Sequence, residues 1–111
     1  MVDLRVAVMH ELARMLARRI DGRLQCHETG RNGHPVIYCY RKGKKSENAP
    51  HASIHFKDDG VLVRYNPQSQ INQLSGASVF SGVWMGERSF RYEDPGLLAD
   101  VVEFVKGECY R

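Results

Sequence analysis

Residues 51–65 read HASIHFKDDGVLVRY. Apolar and polar residues alternate on both sides of Asp58-Asp59-Gly60, the period of two that marks a half-buried strand. Aspartate followed by glycine is tight-turn chemistry, because glycine takes up positive φ and aspartate bonds its own backbone. A two-residue turn at Asp59-Gly60 pairs Asp58 with Val61, Phe56 with Val63 and Ile54 with Tyr65. Ala52, Ile54, Phe56, Val61, Val63 and Tyr65 then share a core face. His51, Ser53, His55 and Lys57 face the other way, with Leu62 and Arg64 across from them. The same geometry argues against a metal at His51 and His55. Strand residues four apart are separated by about 13 Å along the chain, whereas a zinc ion needs its ligands within roughly 2.1 Å.

Two further hairpins are expected on either side. RLQCHET runs through GRNG into HPVIYCY (residues 23–40), with the tight-turn pair Asn32-Gly33 between them. ASVFSGVWM (residues 77–85) is expected to turn at Gly86-Glu87 into RSFRY. Helices bracket the strands. Leu4, Val8, Leu12, Leu16 and Ile20 recur every four residues, with Met15 widening the stripe, Asp3 as N-cap and Gly22 at the stop. In the last helix Asp94 is the expected cap and Pro95 the first helical residue. Leu97, Leu98, Val101, Val102 and Val105 make its apolar face, and Gly107 is the expected end. The expectation is an α+β two-layer sandwich of order α-β6-α. The N- and C-terminal helices pack on one face of a mainly antiparallel sheet of about six strands, in a single domain over residues 1–111. That order resembles the frataxin-type sandwich in outline. The acidic first helix of that family is absent here, so no function comes with the resemblance.

The chain has 111 residues, 42% of them hydrophobic and 26% charged, a globular balance large enough for one core. No apolar run approaches the ~20 residues of a membrane span, and Asp3, Arg5, His10 and Glu11 break up any secretory signal. Three cysteines without framework spacing suit reduced thiols, so a cytoplasmic protein that folds without disulfide or metal is expected. Residues 1–45 carry ten Lys/Arg against four Asp/Glu, and residues 46–111 carry six against nine. Such a split suits a fold that neutralises itself or pairs with a copy of itself better than it suits a continuous nucleic-acid face.

No phosphate loop, nucleophile elbow or paired-cysteine zinc spacing is legible, and no catalytic, cofactor or metal residue is assigned. Three candidate sites follow from the strand pattern. The first rests on VIYCY and VFSGVWM, which are apolar on both strand faces. Ile37, Leu62, Phe80 and Trp84 are expected on the outer sheet face, which two helices cannot cover. They would serve self-association, or a protein or small apolar ligand, with a helix–sheet cleft as the other place for it. The second is the basic segment Arg41, Lys42, Lys44 and Lys45 beside Tyr38 and Tyr40, which suits single-stranded nucleic acid. The third is a reactive pair, Cys39 and His55. These come within diagonal reach if Cys39 pairs with Ser53, a register that the long connection after residue 41 leaves unfixed. The favoured expectation is a non-enzymatic, homo-oligomeric binding module. Nucleic-acid binding and a small-molecule enzyme with a helix–sheet pocket are the alternatives.

Overall fold

The computed structural model describes residues 4–20, 24–31, 33–41, 52–65 and 86–108. In chain order these form helix α1 (Leu4–Ile20), strands β1 (Leu24–Arg31), β2 (His34–Arg41), β3 (Ala52–Phe56), β4 (Gly60–Tyr65) and β5 (Gly86–Arg91), and helix α2 (Leu97–Glu108). The strands make one antiparallel sheet in sequential order, β1-β2-β3-β4-β5. Both helices lie on one face of it, α1 over β1 and β2 and beside α2. The α-β-α order and the two-layer architecture match the expectation. The strand count among the described residues is five.

The first hairpin forms where Asn32-Gly33 predicts, with Arg31 opposite His34 and Gly33 at φ 81°, a conformation that costs other residues about 1–2 kcal/mol. The second is displaced. Phe56 pairs with Val61, Ile54 with Val63 and Ala52 with Tyr65, and Lys57 N–H donates to the Gly60 carbonyl at 2.8 Å. The two central residues are therefore Asp58 and Asp59. Gly60 is needed for another reason: a Cβ there would lie 2.2 Å from the Phe90 carbonyl oxygen of β5. The slip is two residues, so every side chain keeps its face, and Ile54, Phe56, Val61 and Val63 are all buried in the core.

Gly86 and Glu87 do not turn. They open β5, opposite Tyr65 and Arg64, and Gly86 leaves room for the Tyr65 ring, which a Cβ would approach at 2.6 Å. That ring meets Phe104 of α2 edge-on, centroids 4.9 Å apart, and Phe104 also contacts Phe90. The Arg88 guanidinium stands about equally over Phe90 and Phe104, at 5.1 and 5.2 Å, closing the edge of this aromatic cluster. After β5 come two consecutive turns, closed by Asp94 N–H to the Arg91 carbonyl and Leu97 N–H to the Asp94 carbonyl. The Asp94 carboxylate accepts from the Arg91 N–H rather than capping α2, which starts two residues beyond Pro95. Gly107 lies inside α2, one residue before its end.

The consequential correction is between β2 and β3. Tyr38 pairs with Ser53, and Cys39 with Ala52, one residue away from the assumed register. A shift of one exchanges the faces of a strand. Ile37 and Cys39 therefore point under the helices, both wholly buried, and Val36 and Tyr38 take the outer face.

Candidate functional site

A helix turns about 100° per residue, so a repeat of four drifts about 40° per step. From Leu4 to Ile20 the α1 stripe thus sweeps nearly half the helix circumference, wider than one sheet contact can cover. The sheet takes Met9, Ala13, Leu16 and Ile20, all buried. The rest of the arc is left outside: Leu4 is 79% exposed, Val8 57% and Met15 37%. Leu4, Val8 and Leu12, with Met9 behind them, form one wall of an open groove of about 720 Å³. Leu97 and Leu98 of α2, Pro95 and Tyr92 belong to its lining. Arg5 and Arg19 also line it and, as the one acid among the described residues there, Asp58.

The floor near Asp58 is held by polar ties between turns. The Tyr92 hydroxyl donates to the Lys57 carbonyl at 2.7 Å. Burial, reinforced by the negative charges of Asp58 and Asp59, pushes its pKa up to about 12, so it stays a donor at neutral pH. His34 Nδ1–H donates to the Phe56 carbonyl at 3.2 Å, and its Nε2 lies 3.8 Å from Asp58. His10 reaches across from α1 to the Gly33 carbonyl at 2.7 Å. Both histidines thus bind turn backbone together at one end of the sandwich. On the solvent side of α1, Arg14 pairs with Glu11 and, by hydrogen bond and charge, holds the Glu11 carboxyl below the usual range. Within Leu4–Ile20 there are four arginines against that one acid, and two of them, Arg5 and Arg19, line the groove.

The outer sheet face is different from the expectation. Ser53 is 1% exposed and Val36 7%, while Tyr38, His55, Leu62 and Arg64 around them are half-buried. Arg64 Nε lies 3.2 Å from Glu87 across β4–β5, paired by charge but angled away from a hydrogen bond. Of the four proposed interface residues, Ile37 is in the core and Leu62 is on the outer face. Phe80 and Trp84 lie outside the described residues, as do Lys42, Lys44, Lys45 and His51; Arg41 ends β2.

Cys39 and His55 are on opposite faces of the sheet, so the proposed reactive pair does not exist. Each has another neighbour. His55 Nε2 is 2.7 Å from Ser53 Oγ, the spacing of a base and a nucleophile, but a serine 1% exposed offers a substrate no approach. Cys39 Sγ is 3.7 Å from Cys26 Sγ. Among the described residues no group of three or more His, Cys, Asp or Glu could hold a metal ion, and no helix is long and apolar enough to cross a membrane.

Comparison with protein-family models, with curated proteins and with solved structures returns no match. The groove was missed because the α1 stripe reads as one apolar face. The signal lay in its strict spacing of four, which spreads that face beyond the width of a single contact.

Proposed function

We propose that this protein is a non-enzymatic binding module, and that the groove between α1 and α2 receives an acidic amphipathic helix of a partner protein. The observation that carries the reading is the apolar row Leu4, Val8 and Leu12, exposed at Leu4 and Val8 and half-buried at Leu12, lining one groove with Leu98, Arg5 and Arg19. Anchors spaced three and four residues apart along one helix match such a row, and carboxylates beside them match the arginines. A small apolar ligand fits less well. Such sites bury some 70–90% of their ligand, and here the Leu4 and Val8 walls stand mostly in water. A second copy of α1 fits poorly too, since two arginine-rich helices repel.

The test uses isotope-labelled protein titrated with a helical peptide carrying leucines at the anchor positions and glutamates elsewhere, beside a twin with lysines for glutamates. Amide shifts at Val8, Leu12, Tyr92 and Leu98 with the acidic peptide alone are expected, and Val8→Asp, on an exposed position, should abolish them in a folded protein. Equal response to both peptides, or none to either, overturns the proposal.

A further inference from the structure

Cys26 and Cys39 stand directly opposite each other in the first hairpin, on the face that α1 covers, with their sulfurs 3.7 Å apart. Neither is in a disulfide. Cys39 is fully buried, whereas Cys26 is partly open to solvent. We infer that the two form a reversible dithiol–disulfide site, oxidised by a hydroperoxide that meets Cys26 first.

The backbone already satisfies a disulfide. Directly opposed residues of antiparallel strands have Cα atoms about 4.5–5.5 Å apart, inside the roughly 4.4–6.8 Å that the bond accepts. The sulfurs have to close from 3.7 Å to about 2.04 Å, a movement that side-chain rotation supplies. The unequal exposure sets the order of events. The Cys26 thiolate attacks the peroxide, giving a sulfenic acid and one molecule of water (from hydrogen peroxide) or alcohol (from an organic hydroperoxide). The Cys39 thiol then displaces the hydroxyl of that sulfenic acid, forming the S–S bond and releasing a molecule of water. The two thiols lose two electrons and two protons, and the peroxide O–O bond takes both electrons. A small dithiol such as dithiothreitol reverses the change by exchange. Because Cys39 is at hand, Cys26 is diverted from the irreversible sulfinic stage. The bond would tie β1 to β2 directly beneath α1 and constrain the unfolded chain.

Trypsin separates the two cysteines conveniently. Cleavage after Arg23, Arg31 and Arg41 leaves Cys26 in residues 24–31 and Cys39 in residues 32–41. The full chain is treated with graded hydrogen peroxide, blocked with iodoacetamide in denaturant, and digested without reductant. The expected product is the two peptides joined, two hydrogens lighter than their sum, and separated by dithiothreitol. It should also form in Cys109→Ser, and the melting midpoint should rise on oxidation and return on reduction. Recovery of both peptides alkylated, or of Cys26 as sulfinic acid beside an alkylated Cys39, overturns the inference. So does a link to Cys109 alone. The unmodified chain decides the pairing by itself should Cys109→Ser fail to fold.

Discussion

Replacing Ile37 by alanine tests the register on which the whole assignment of sheet faces depends. Ile37 is wholly buried, opposite the equally buried Ile54 on β3 and beneath α1. Isoleucine to alanine removes three carbons from the core, about 0.8 kcal/mol each by transfer, or some 2.4 kcal/mol. The cavity left behind adds to this, so the loss should be about 3–4 kcal/mol, within the ~2–5 kcal/mol of comparable truncations. That is a large share of the ~5–15 kcal/mol of a typical domain. In urea, with a slope of about 1.5 kcal/mol per molar, the unfolding midpoint should fall by about 2–2.7 M. Leu62→Ala is the control, because Leu62 is half-buried on the opposite face, and it should cost less than about 1.5 kcal/mol. Equilibrium unfolding followed by both circular dichroism and fluorescence measures the two together. An Ile37→Ala protein within about 0.5 kcal/mol of the parent, at unchanged slope, would place Ile37 outside the core and refute the β2–β3 pairing.

Tyr92 should ionise late in an alkaline absorbance titration, towards pH 12. Its folded pKa of about 12 lies above the ~10 of an unfolded tyrosine, so its stabilising contribution is complete below about pH 10 and is lost as the pH rises towards 12. Tyr92→Phe should remove the late phase and cost about 0.5–1.5 kcal/mol at neutral pH; a late phase that survives the substitution would show that Tyr92 is not the buried tyrosine that ionises there. The expected self-association through the outer sheet face would draw, among the described residues, on half-buried positions such as Leu62. Light scattering should then give a mass above monomer that Leu62→Glu reduces to a folded monomer. A monomeric parent, merely destabilised by Leu62→Glu, would mean that one chain closes this face alone.

Local pattern was enough for much of this molecule. Both helices, the Asn32-Gly33 turn and the core face of β3 and β4 follow from residues close together in sequence, where period and turn chemistry act directly. The β3–β4 pairing even tolerated an error, because a slip of two residues leaves every side chain on its own face. What local pattern could not reach was any relation between segments joined by long connections. Val36-Ile37-Tyr38-Cys39-Tyr40 is apolar on both sides, so alternation gives it no preferred face, and residues 42–51 set no register between β2 and β3. Packing chose instead: Ile37 meets Ile54 and Cys39 meets Cys26 under α1, which removed one candidate pair and created another. The groove has the same origin. An apolar arc on a helix records how much surface is able to be buried, but the angle at which α1 rests on the sheet decides which part is. Met9, Ala13, Leu16 and Ile20 went inward, and Leu4 and Val8 were left facing solvent.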